Sequence, residues 1–297
     1  MRTLYHLDDH EISLPPGHKY PTRKYRLLRN LLAADGAYRF EPSPFAPRAA
    51  IERVHDSTYV EHFLNGTLAT PVMRRIGFPW SESLVRRTLG SVGGTLAASR
   101  MALTQGFGGN LAGGTHHAFR AEGSGFCVFN DIAVAILAMR AEYGLERAAV
   151  IDLDVHQGDG TALIFEHDPL VLTLSVHGKH NFPFRKQRSV IDVELADQTG
   201  DEEYLAATLS VLPRVFDFKP DVIFYQSGVD ALASDVLGRL ALTADGLRQR
   251  DRIVMQAAKD YGAPFVVTLG GGYSNPIELT AAAHANTFRT AALTWPE

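Results

Sequence analysis

Cysteine is almost absent from this sequence. Cys127 is the single one among 297 residues, so no internal disulfide and no cysteine-built zinc finger is possible, and a reducing compartment is expected. Excess charge is also missing: 29 Lys and Arg stand against 33 Asp and Glu, a formal net charge of −4. Without a basic block the chain lacks the electrostatic footprint of a nucleic-acid binder. No run of about eighteen apolar residues occurs, which excludes a helical membrane span. The N-terminal M-R-T-L-Y-H-L-D-D-H turns acidic too soon to read as a signal peptide. The glycine-rich stretch 106–114 has neither G-x-G-x-x-G nor a Walker lysine, so it does not read as a phosphate cradle. Repeats and low-complexity segments are absent as well. These exclusions point to a cytoplasmic globular protein with no nucleic-acid or membrane partner. A chain of this mass buries roughly three quarters of its unfolded surface, enough for a large core.

What the sequence does have is histidine, twelve in all, several beside aspartate and glycine. Short apolar, β-branched runs at 110–112, 148–153, 170–176, 221–226 and 264–269 read as central parallel strands, apolar on both faces. Between them lie amphipathic helices. Asn130 is placed to cap a helix over 131–143 with Ile132, Ala135, Ile136 and Met139 on its apolar face and Gly144 at its end. Thr243 is placed to cap another over 244–261, with Leu247, Ile253, Val254 and Ala257 inward and Gly262 as its stop. Residues 41–48, with three prolines, read as a rigid loop rather than a domain boundary. Strand–helix alternation without a change of composition predicts one α/β domain over 1–297, a parallel sheet with helices on both faces. Ligands of such sheets bind beyond the carboxyl ends of the strands.

Chemistry-bearing motifs follow those strand ends. The first strand is followed by G-G-T-H-H-A-F-R with His116 and His117, the second by D-L-D-V-H-Q-G-D-G from Asp152 to Gly160. S-G-V-D-A-L brings Asp230, and G-G-G-Y-S brings Tyr273. In extended chain, residues two apart share a side and lie roughly 6.5–7 Å apart, so Asp152, Asp154 and His156 can converge. Aspartate oxygen and imidazole nitrogen are natural zinc ligands, and a third from Asp230 would leave a coordination position open, as catalytic zinc sites do. Taken alone, the triplet also suits helix capping or a structural cation. The tandem histidines can exchange protons near neutral pH, with Asp152 and Asp159 as candidate partners that fix their tautomers. Tyr273, after three glycines, can reach over the cleft and donate to a developing oxyanion.

Together G-G-T-H-H, G-F-C-V-F-N-D, D-L-D-V-H-Q-G-D-G, S-G-V-D-A-L and L-G-G-G-Y resemble, in order and across most of the chain, the zinc-dependent histone deacetylase family. The segment S-L-P-P-G-H-K-Y-P-T-R-K-Y and the later S-V-H-G-K-H-N-F-P-F are similar to its short class IV-like and bacterial branch. The resemblance implies the arginase–deacetylase fold, a three-layer α/β/α domain on an eight-stranded parallel sheet. It implies Zn²⁺ on Asp154, His156 and Asp230, and a zinc-bound water that attacks the amide carbonyl of an acyl-lysine. His117, supported by Asp159, would be general base and then acid; His116, oriented by Asp152, would act electrostatically and hydrogen-bond that water. Tyr273 would stabilise the oxyanion. Gly125 and Phe126 would line an acyl-lysine tunnel, with Phe182 or Phe184 as its second aromatic. Arg23 would match the arginine of an internal acetate pocket. Asp152, Ser175 and Val176, with neighbouring main-chain oxygens, would match a K⁺ or Na⁺ site.

The resemblance leaves several substrates open: acyl-lysine in proteins, small acylated amines such as acetylpolyamines, and long-chain acyl-lysine. The rim stretch 70–90 offers no match to the acidic residue by which relatives read peptide backbone and is basic instead. A ureohydrolase with two metals needs a carboxylate two residues after His156, where this chain has Gly158. A non-catalytic binding module would have lost a ligand or Tyr273, and none is lost. Cys127 reads as a buried structural residue.

Overall fold

The computed structural model describes residues 2–296, which leaves the end points of the expected 1–297 domain outside the described residues. In chain order the elements are β1 (Arg2–His6), α1 (Arg23–Asp35), β2 (Tyr38–Pro42), α2 (Arg48–Ile51), α3 (Ser57–Leu64), α4 (Thr70–Ile76), α5 (Glu82–Gln105), β3 (Phe107–Asn110), α6 (Asp131–Tyr143), β4 (Ala148–Asp152), α7 (Asp159–Ile164), β5 (Val171–Gly178), β6 (Ile191–Leu195), α8 (Asp201–Asp217), β7 (Val222–Gln226), α9 (Ala244–Tyr261), β8 (Phe265–Thr268) and α10 (Ile277–Thr294). The eight strands form one sheet in the order β2-β1-β3-β8-β7-β4-β5-β6. Every pairing is parallel, as an arginase–deacetylase α/β fold requires.

Alternation along the central strands builds two cores. On one face Ala149 and Ile151, Ile223 and Tyr225, and Phe265 and Val267 pack with α1, α8, α9 and α10. On the other, Ala148 and Val150, Val222 and Phe224, and Val266 pack with α2 to α6. A strand buried on both sides is apolar along most of its length, which is why these runs were legible as strands.

The expected strand at 110–112 lies earlier, at Phe107–Asn110, where F-G-G-N pairs with β8 from Phe107↔Phe265 to Gly109↔Val267. Glycine carries no strand signal, but α5 runs against this strand so closely that a Cβ on Gly108 would sit 1.9 Å from the Ala98 carbonyl. Strands β1, β2 and β6 carry no continuous apolar run, and β6 is buried only at its two ends.

Helix α6 has the expected bounds: the Asn130 side chain accepts from the Ala133 amide, and Gly144 closes it in the left-handed region. It is buried nearly all round, Ala133, Val134 and Ala138 included, rather than on one face. Helix α9 is capped by Thr243 and ended by Gly262. Its inward residues are Leu247, Val254, Met255 and Ala258, while Ile253 and Ala257 are half-buried. Among the described residues no helix is long and apolar enough to cross a membrane.

Candidate active site

Strands β3, β8, β7 and β4 are neighbours, and the loops beyond their carboxyl ends meet over a cleft of about 800 Å³. That size suits a ligand-binding cleft. Its lining includes His116, His117, Gly125, Phe126, Asp154, His156, Phe182 and Tyr273.

At the floor, Asp154, His156 and Asp230 are all buried and offer ligand atoms within 4.8 Å of one another. His156 Nδ1 lies 3.0 Å from Asp154 Oδ1 and 3.1 Å from Asp230 Oδ2. Backbone amides hold the other carboxylate oxygens: Gly271 donates to Asp154 Oδ2 at 2.7 Å and Val155 to Asp230 Oδ1 at 2.9 Å. Burial alone would lower the His156 pKa, but the two carboxylates outweigh it and lift it to about 10. Burial and the charge of Asp154 raise Asp230 to about 7. A buried pair of carboxylates that draws a proton onto its only imidazole is a site in want of positive charge. Two carboxylate oxygens and one imidazole nitrogen make a donor set that suits zinc.

The two histidines of G-G-T-H-H lie beside this cluster, ring centroids 4.1 Å apart. His116 Nδ1 is 2.7 Å from Asp152 Oδ2 and His117 Nδ1 is 2.6 Å from Asp159 Oδ1. Against an ionised carboxylate each Nδ1 is the donor, which turns each Nε2 away from its partner. Burial opposes the charged form of His116, but Asp152 and Asp154 outweigh it and raise its pKa to about 9. For His117, burial and then the charge of His116 act together and lower the pKa to about 4. Gly158 makes the first pair possible: a Cβ there would lie 2.3 Å from Asp152 Oδ2 and 3.2 Å from His116 Nδ1. Hence no carboxylate could stand at this position.

Tyr273 is held by its backbone, whose amide donates to Asp235 Oδ2 at 2.6 Å. Burial and the charges of Asp230 and Asp154 push its hydroxyl well above its ordinary pKa, so it stays protonated and able to donate. Its ring centroid is 6.2 Å from that of Phe126. Phe126 itself has φ +65°, and its amide donates to the Ile76 carbonyl at 2.8 Å, which fastens this loop to α4. Gly125, at φ +54°, passes so close that a Cβ would meet His117 at 2.6 Å and Phe182 at 3.1 Å. Phe182 stands with its ring centroid 5.0 Å from His117, whereas Phe184 is 86% exposed. Phe182 is therefore the aromatic beside the floor.

Arg23 is a correction. Its side chain is 67% exposed and paired with Glu278 rather than turned inward. The next residue, Lys24, faces inward instead and donates from Nζ to the carbonyls of Gly270 at 3.2 Å and Gly272 at 3.5 Å. Buried Arg87 lies in a small internal cavity behind Phe126, with Tyr20 and Tyr25. The spacing Lys24, Leu28, Leu32 was the available signal for Lys24, since residues four apart share a helix face and both leucines are buried.

Ser175 pairs in register with Asp152, and its Oγ is 2.9 Å from His177 Nδ1. Cys127 is buried, with its thiol pushed well above its ordinary pKa by burial.

A family model described as the histone deacetylase domain matches residues 18–289. An uncharacterized protein of Picosynechococcus sp. is 43% identical over 292 residues, 97% of each chain. The histone deacetylase-like amidohydrolase of Pseudomonas aeruginosa is 33% identical over 280 residues, 87% of this chain and 73% of that one. Histone deacetylase 2 of Arabidopsis thaliana is 30% identical over 272 residues, 86% of this chain and 70% of that one.

Proposed function

The chain belongs to the histone deacetylase family of acyl-amide hydrolases, and we propose that it hydrolyses an acyl-lysine-type amide with zinc as cofactor. The observation that carries the reading is the convergence of two histidine–aspartate pairs and Tyr273 on the buried Asp154–His156–Asp230 cluster. We read residues 1–297 as one catalytic domain; its support is the single sheet and a family match over 18–289.

Asp154, His156 and Asp230 would hold the zinc ion. When bound, it supplies Lewis-acid polarisation of a carbonyl and of a water. The remaining work belongs to the chain. His117, neutral at pH 7 with its Nδ1 proton committed to Asp159, takes a proton from the attacking water on Nε2. The imidazolium so formed is stabilised by Asp159. It then gives its proton to the departing lysine amine, so that one residue serves as base and then acid. Tyr273, kept protonated by its surroundings, donates a hydrogen bond to the oxyanion of the tetrahedral intermediate. His116, paired with Asp152, acts electrostatically. Phe126 and Phe182 flank the acyl-lysine chain, and Gly125 allows the chain to approach His117. Asp152, Ser175 and Val176 are proposed as the monovalent-cation site on the adjacent strand ends.

The test is a panel of acetyl-, propionyl-, octanoyl- and myristoyl-lysine peptides with acetylated polyamines, assayed with and without chelator. Hydrolysis of at least one acyl-lysine peptide, lost with chelator and restored by zinc, is expected. Inactivity on every peptide, or activity indifferent to chelator, would overturn the proposal.

A further inference from the structure

The chain carries a net charge of −4, yet the segments around the cleft are basic: 15–24, 70–77 and 179–188 contain nine Lys and Arg and no Asp or Glu, of which Arg23 is paired with Glu278 and Lys24 is buried. Lys19, Arg75 and Arg239 line the cleft itself. Lys179, Arg185 and Arg188 are exposed on the segment that presents Phe182 to the floor. Carboxylates at the rim are already engaged: Glu122 pairs with Arg75, and Asp197 with both His180 and Arg239. Asp235 accepts the amides of Leu237, Gly238 and Tyr273. Among the described residues, Lys19, Lys179, Arg185 and Arg188 have no carboxylate within ion-pair distance. A cleft rimmed by one sign of charge concentrates ligands of the opposite sign and repels those of its own. A polycationic amine entering here would find no free carboxylate for its ammonium groups.

We propose that the mouth selects acyl-lysine carried in acidic protein segments and disfavours acylated polyamines and lysine-rich tails. This rests on the acyl-lysine reading of the site and adds the charge of what surrounds the lysine. The exposed position of the cations makes the effect one of encounter and KM more than of kcat, and makes it sensitive to salt.

The experiment uses the full zinc-loaded chain and three acetyl-lysine peptides of one length, flanked by Asp and Glu, by Ser and Gly, or by Lys and Arg, with acetylspermidine as a fourth substrate. At ~20 mM salt, kcat/KM should fall from acidic to neutral to basic flanks by about tenfold or more end to end. The spread should shrink to about threefold or less near 0.5 M salt, where the screening length is only a few ångströms. The double substitution Arg185→Glu with Arg188→Glu should bring the acidic-to-neutral ratio at low salt close to one. Arg248→Glu with Arg252→Glu, an equal charge change on the exposed face of α9, should leave that ratio alone. Equal rates on the three peptides at low salt, or a preference for the basic peptide or acetylspermidine, would overturn the inference while the hydrolase reading stood. No hydrolysis of the neutral peptide would overturn both.

Discussion

Two histidine–aspartate pairs lie side by side on the floor of the cleft and look alike in geometry. Both rings are buried and both Nδ1 atoms sit within 2.7 Å of a carboxylate. Their proton affinities nevertheless move in opposite directions, to about 9 for His116 and about 4 for His117. The partner carboxylate is therefore not what decides. His116 also faces Asp154, 3.9 Å from its Nε2, whereas His117 faces His116 and His156. A third histidine makes the same point: His55, with no carboxylate, is also lowered to about 4, by burial. Adjacent groups whose environments drive their pKa values apart are suited to different tasks. The neutral ring suits proton transfer; the ring that keeps its proton suits electrostatic support.

Substitution of the two rings should expose that asymmetry. His117→Ala should cut kcat by roughly a hundredfold or more, measured by steady-state hydrolysis of an acetyl-lysine peptide; near-normal turnover would remove it as the base. Tyr273→Phe should lower kcat by about a hundred- to a thousandfold while zinc content, read by atomic absorption, stays unchanged. His116→Ala should cost less, about tenfold, and change the pH profile. His117 must be neutral to act, so the acid limb of kcat/KM should lie below pH 6.5. Removing the positive charge of His116 should move that limb upward. A limb that does not move would break the claim that one ring tunes the other.

His55 gives the smallest effect, on stability. Its Nδ1 faces the Phe119 carbonyl and its Nε2 accepts the Asn130 amide, so the fold holds the neutral ring. Protonation is easier in the unfolded chain, near pH 6.5, than in the fold, near 4. The stability concerned is complete above pH 6.5 and lost as pH falls toward 4, by about 3 kcal/mol at 1.36 kcal/mol per pH unit. Urea midpoints between pH 7 and 4.5 should drop more steeply in the wild type than in His55→Gln.

The sequence carried the site better than the sheet. D-L-D-V-H, S-G-V-D-A-L and G-G-G-Y stand out at strand ends because β4, β7 and β8 are apolar along most of their length, and such strands announce where they stop. The edge strands β2 and β6, and β1 beside β2, gave no such signal, since most of their residues are only partly buried or exposed. In β3, close packing against α5 demanded glycine, and glycine hides a strand. Arg23 was read as facing inward because a family match by position took no account of helix phase. Lys24, Leu28 and Leu32 form the buried face of α1, and Arg23 lies off it. Of the basic mouth only the stretch 70–90 was visible, because the segments that compose it are far apart in sequence and meet only in the fold.

The central claim is one zinc ion held by Asp154, His156 and Asp230 and required for amide hydrolysis. It is tested most directly by adding zinc stepwise to the metal-stripped protein while following hydrolysis of an acetyl-lysine peptide. Activity should be absent at the start and rise linearly to a break at about one equivalent per chain, with Asp230→Asn failing to reach it. Hydrolysis before any zinc is added, or a break at two equivalents, would contradict it.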